Sequence, residues 1–178
     1  LSPSKQDAIA YVETAQNMFG SISDGYLVNE KNSLPHVTIC AFHCEHEELD
    51  SIWNDLQNLD IRTSPIRILG LLLKKGNVHP HHYSVGLSIA RDPPILHLHQ
   101  QIVKLLYLRK IECLNPCMDL YQPHLTLAGI SWMPNESMVL SPIIDNLISM
   151  PPPSFHLTLA KGDDIGQYLQ TLYEELDL

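Results

Sequence analysis

Two stretches of the chain, Pro35-His36-Val37-Thr38-Ile39 and Pro123-His124-Leu125-Thr126-Leu127, write one pattern twice: proline, histidine, an apolar residue, threonine, an apolar residue. In a strand, residues two apart share a face, and the one between them faces the other way. His36 and Thr38 are therefore expected side by side, about 7 Å apart along the strand, with Val37 turned into the core. His124 and Thr126 stand in the same relation around Leu125. An imidazole exchanges a proton near neutral pH, and a hydroxyl beside it can donate to a phosphate oxygen. Two such units brought face to face would make an acid, a base and two anchors for an anion. The plain alternative is two ordinary strands with polar residues at their edges; the shared leading proline and trailing apolar residue argue against it. A third copy, Phe155-His156-Leu157-Thr158-Leu159, lacks the proline and runs into Lys161-Gly162-Asp163-Asp164, which reads as an exit turn. His156 is expected as a strand residue near the site, the alternative being that it replaces one of the other two histidines.

Elements able to position these motifs follow from periodicity. Ala8, Ile9, Val12, Ala15 and Met18-Phe19 recur at helical spacing between Ser-Pro-Ser and Gly20, which predicts an amphipathic helix over 4–19. Gly25-Tyr26-Leu27-Val28 has the composition of a short extended piece in a connection, and Pro35 opens the first motif strand, expected to reach about Phe42. A second helix is expected over 45–59 from Leu49, Ile52, Trp53, Leu56 and Leu59. The stretch 65–73 and the alternating run Tyr83 to Ala90 read as an antiparallel pair, with a turn at Lys74-Lys75-Gly76-Asn77.

Asp92-Pro93-Pro94 starts a further helix whose buried stripe is Ile95, Leu98, Ile102, Leu105 and Leu106. On it His97 and His99 face different ways, so they cannot form a ligand pair. After the second motif strand, 135–150 reads as a helix, Pro151-Pro152-Pro153 as an extended spacer, 154–160 as a strand, and the tail through Tyr168 and Leu169 as a helix or strand. This order gives an α+β fold with antiparallel sheets, expected as one domain over 1–178. Each motif strand is followed by a helix and then a strand, which suggests a duplicated unit and a two-fold-like pair of lobes.

Composition narrows the function classes. With 178 residues, 44% hydrophobic and 17% charged, the chain can bury a core. No apolar run spans a bilayer, so no membrane role is expected. A net charge of -9 argues against gripping long double-stranded nucleic acid by its backbone, but leaves open a nucleotide or an RNA end held by a few contacts. The 4 cysteines, spaced Cys40-x-x-x-Cys44 and Cys113-x-x-x-Cys117, read as free thiols in a reducing cytoplasm rather than a zinc knuckle. His79-Pro80-His81-His82 reads as a solvated loop rather than a metal site, because a surface loop supplies few partners to orient ligand imidazoles.

The paired motifs, the strand pair between them, the helix after Asp92 and the closing strand resemble the 2H phosphoesterases, including the LigT-like RNA 2′,3′-cyclic phosphodiesterases. The resemblance covers most of the chain from Leu34 onward. It implies a two-lobed α+β protein with the motifs in a central cleft, acting without a metal or other cofactor. His36 and His124 are implied as catalytic, and Thr38 and Thr126 as phosphate anchors. Family members usually begin with a strand before the first helix, and here only Leu1-Ser2-Pro3 can supply it. Basic or aromatic residues that hold RNA in some members have no clear counterparts, which leaves the substrate open.

The expected reaction is cleavage of a cyclic 2′,3′-phosphate or a 2′,5′ linkage by a monomeric protein, one histidine taking a proton and the other giving one. Tyr121 and Tyr83 are candidates for stacking on a base, the alternative being core or rim tyrosines. Three other classes fit less of the pattern: a nucleotide- or RNA-end-binding module without turnover, a zinc hydrolase using the histidine-rich loop and cysteines, and a structural interaction domain.

Overall fold

The computed structural model describes residues 1–24, 26–31, 33–59, 66–75, 83–131, 154–163 and 167–174. Within them lie β1 (Ser2–Pro3), α1 (Lys5–Phe19), α2 (Leu49–Gln57), β2 (Ile68–Lys75), β3 (Tyr83–Ile89), α3 (Pro93–Leu108), β4 (His124–Ile130), β5 (Phe155–His156), β6 (Thr158–Gly162) and β7 (Tyr168–Glu174). Every strand pair is antiparallel, so the fold is α+β. The histidine-rich loop at 79–82, the helix expected over 135–150 and the proline spacer at 151–153 fall outside the described residues.

The helices form where periodicity and caps coincide. Ser4 caps α1 by accepting from the Asp7 amide at 3.2 Å, and Gly20 ends it, while Tyr11, Ala15, Met18 and Phe19 are buried. In α2, Ile52, Trp53 and Leu56 are buried after a short 3₁₀ turn over His46–Glu48. Asp92 caps α3 with prolines in its first turn, but its carboxylate pairs with Arg67 at 2.8 Å instead of the helix amides. Arg109, at the other end of α3, reaches Asp55 and Ser51 and ties α3 to α2. His97 is exposed and His99 buried, as their spacing requires.

Strands β2, β3 and β4 form one sheet in that order. β2 runs through Lys74 and Lys75, which pair with Ser84 and Tyr83, so these lysines belong to the strand and not to a turn. The far edge of β4 is taken by two pieces of one segment: Leu27 bridges Ala128, and Val37 bridges Leu125. Between them the chain makes an excursion closed by the Asn29–Ser33 bridge. The first motif is thus extended backbone held by a single bridge to β4, not the regular strand to Phe42 that its alternation suggests. On its other side, Leu1 and Val37 exchange both backbone hydrogen bonds at 2.8 Å. Ser2 and Pro3 then pair with His156 and Phe155, so β1 lies between the first motif and β5. The third motif divides between β5 and β6, and the tail forms β7 against β6.

One hydrophobic cluster gathers Tyr11, Ala15 and Phe19 of α1, Ile52 of α2 and Leu98, Ile102 and Leu106 of α3 with the apolar residues of both motifs. Val37 and Leu125 are fully buried in it. Their neighbours His36, Thr38, His124 and Thr126 are half-buried. Burial therefore alternates along both motifs, because hydrophobic free energy fixes which face of each segment turns inward.

Candidate active site

The antiparallel bridge between Val37 and Leu125 sets the register of the two motifs. His36 then lies opposite Thr126, and Thr38 opposite His124, as if related by a local two-fold axis through the bridge. Directly opposed residues have Cβ atoms about 5 Å apart, and the diagonal pair His36 and His124 about 7–8 Å. Since Val37 and Leu125 fill the core, the four polar side chains rise from the other face.

Both rings are held by the same local device. His36 Nδ1 bonds the Leu34 carbonyl at 2.9 Å, and His124 Nδ1 bonds the Gln122 carbonyl at 2.8 Å. A carbonyl only accepts, so each Nδ1 carries the proton and Nε2 is the nitrogen that exchanges one in chemistry. Each motif orients its histidine with the carbonyl two residues upstream, which the intervening proline (Pro35, Pro123) fixes in a rigid lead-in. Burial holds His124 below the usual imidazole value; its bond to Gln122 opposes this and the Lys74 ammonium adds to it. The ring is therefore neutral at neutral pH.

Several residues that alternation alone did not single out complete the face. On β3, Ser88 stands beside His124 and Gly86 beside Thr126. The register shifts between Val85 and Gly86, and β4 approaches so closely that a Cβ on Gly86 would sit 2.3 Å from the Leu125 carbonyl oxygen. Gly86 is thus the condition for bringing the second motif against β3. Tyr168 of β7 meets the His36 ring edge-on, with centroids 5.4 Å apart, and its carbonyl accepts from the Leu34 amide. Tyr168 so steadies both the ring and the residue that anchors it. In the sequence it was visible only as an aromatic beyond the closing strand, in a tail read as helix or strand.

The two tyrosines expected to stack on a base lie elsewhere. Tyr121 is 3% exposed, its ring stacked on His99 with centroids 4.0 Å apart, and its hydroxyl donates to the Thr38 carbonyl at 3.0 Å. Its ring face is covered, so it holds the first motif from below instead of meeting a ligand. Tyr83 alternates with Val85 and Leu87 on the buried face of β3 and packs against the core, away from the face that carries His124. His99 is fully buried: Nδ1 donates to the Ile39 carbonyl at 2.8 Å and Nε2 accepts from the Met118 amide at 3.2 Å. Both nitrogens serve the backbone, so this ring is structural.

The Cys113 and Cys117 thiols both reach Asn115, the Cys40 thiol lies against Cys113, and all four cysteines are free. Burial, followed by the neighbouring Cys113, pushes the Cys117 thiol up to about 11. Among the described residues, no three histidine, cysteine or acidic side chains are arranged to hold a metal ion. No helix among them is long and apolar enough to cross a membrane. No protein-family model matches the chain, and no curated protein matches it significantly.

Proposed function

We propose that this chain is a metal-independent phosphodiesterase of the 2H type, opening a cyclic 2′,3′-phosphate or cutting a 2′,5′ linkage of a nucleotide or RNA end. The observation that carries this reading is the Val37–Leu125 bridge, which sets two identically oriented imidazoles and two threonine hydroxyls on one face. His124, kept neutral, takes the proton from the attacking water or hydroxyl. His36, protonated, gives one to the leaving oxygen as its bond to phosphorus breaks. Thr38 and Thr126 donate to the non-bridging phosphoryl oxygens, where charge builds in the transition state. Acid–base help of this kind is worth about 10²- to 10⁴-fold per group. On the same reading the two motifs belong to two lobes of a duplicated unit around a central cleft, in a cytoplasmic monomer.

The test is turnover of a 2′,3′-cyclic nucleotide and of 2′,5′-linked diadenylate in excess EDTA. Product release by the native chain, lost in His36→Ala and in His124→Ala, is the expected result. Full activity in either variant removes that histidine from the mechanism. Calorimetric binding of a nucleoside monophosphate without turnover of any phosphoester would identify a binding module instead.

A further inference from the structure

The third His-x-Thr motif is not scattered elsewhere in the molecule; it joins the first through β1. Leu1 lies directly opposite Val37, so Ser2 lies opposite His36 and shares its face. Ser2 in turn pairs with His156, and its hydroxyl meets that of Thr158 at 2.9 Å. Thr158 pairs with Glu174, whose Oε1 lies 2.6 Å from His156 Nε2. From His36 outward the face therefore carries Ser2, then His156 and Thr158, with Glu174 at the rim. Neighbouring strands are about 4.8 Å apart, so His156 stands about 10 Å from His36.

The chemistry of this cluster differs from that of the other two copies. His36 and His124 each bond a backbone carbonyl through Nδ1. His156 faces a carboxylate, half of whose side chain is open to solvent. A second phosphate there would meet Glu174 across a few ångströms, a like-charge contact that disfavours it. Carboxylates, hydroxyls and an imidazole together are what a neutral diol asks for: the carboxylate accepts from two sugar hydroxyls, and a serine, a threonine or the ring donates or accepts as needed.

Resting on the phosphodiesterase reading above, we infer that Ser2, His156, Thr158 and Glu174 form a sugar-diol subsite beside His36 that holds the ribose of the departing nucleoside. With His36 as the proton donor, the leaving 5′ oxygen lies on its side of the phosphorus, and the attached ribose extends over Ser2 toward Glu174. The subsite favours substrates with a second nucleoside whose 2′- and 3′-hydroxyls are free. It contributes nothing to a cyclic mononucleotide, which has no such group.

The experiment compares 2′,5′-linked diadenylate with the analogue whose 5′-linked nucleoside lacks both hydroxyls, using a 2′,3′-cyclic mononucleotide as reference. The native chain should prefer the diol substrate in kcat/KM by about ten- to a hundredfold, as expected for lost hydrogen bonds to a charged group. Glu174→Gln should bring that ratio toward one, chiefly through KM, with hydrolysis of the cyclic mononucleotide unchanged. Thr158→Val should lower the ratio in the same direction. Equal turnover of the two dinucleotides by the native chain, cleavage of the mononucleotide alone, or an undiminished ratio in Glu174→Gln overturns the subsite and leaves the phosphodiesterase reading standing. Turnover of none of the three overturns that reading and the subsite with it.

Discussion

Replacing Gly86 by alanine should damage the site without touching a histidine or threonine. A Cβ there would lie 2.3 Å from the Leu125 carbonyl oxygen and 2.9 Å from the Thr126 Cα, both backbone atoms of the second motif. Ordinary contact begins at 3.4 Å, so β4 must retreat by about 1 Å or the ladder must open. Overpacking of this size costs about 1–3 kcal/mol. The larger effect falls on turnover: Leu125 bridges Val37, and moving it displaces His124 and Thr126 relative to His36 and Thr38. A misplacement of 1 Å costs about 10²-fold in rate. Urea unfolding and initial rates on a cyclic nucleotide would be measured for Gly86→Ala beside Ser84→Ala, which lies opposite Gly129, away from the motif. A Gly86→Ala protein with native stability and native rate would refute the close approach of β4 and the argument built on it.

Two further outcomes test the supports of the first motif. Tyr121→Phe removes the hydroxyl that donates to the Thr38 carbonyl and should lower stability by about 1 kcal/mol, read as a shifted urea midpoint; an unchanged midpoint would mean that the bond contributes nothing. His99 and His124 are both held below the ordinary value of 6.5, chiefly by burial, so the unfolded chain binds protons that the folded one refuses. Stability should be level above that value and fall as pH drops through it, and His99→Gln should flatten the slope; a slope equal to that of the native chain would clear His99 of the effect.

Much of this arrangement was legible in the chain because hydrophobic alternation is enforced by burial. The motif faces, the span of α1, the buried stripe of α3 and the β2–β3 pairing all follow from it. Tyr83 was legible too: its alternation with Val85 and Leu87 assigns it to the inner face, and the aromatic ring was a weaker guide than the pattern. What could not be read was which segments distant in the chain would lie side by side. A bridge such as Val37–Leu125 depends on tertiary packing, and β1 is too short to announce itself by any period. Tyr121 and Tyr168 escaped for a related reason. A tyrosine carries an apolar body and a polar tip, and local sequence does not say whether that tip meets a ligand, as a stacking site would need, or the Thr38 carbonyl and the Thr171 hydroxyl, as here.

The two neighbours of Val37, Leu1 on one side and Leu125 on the other, come from far along the chain in opposite directions. Helices α1 and α3 can coil from local contacts within microseconds, but this strand can dock only after two long loops have closed. The face that would do the chemistry is therefore among the last parts of the molecule to assemble, and it should be among the first to open. Pulsed hydrogen exchange during refolding would show it directly: amides of α3 protected early, and those of Val37 and Thr126 protected together and late.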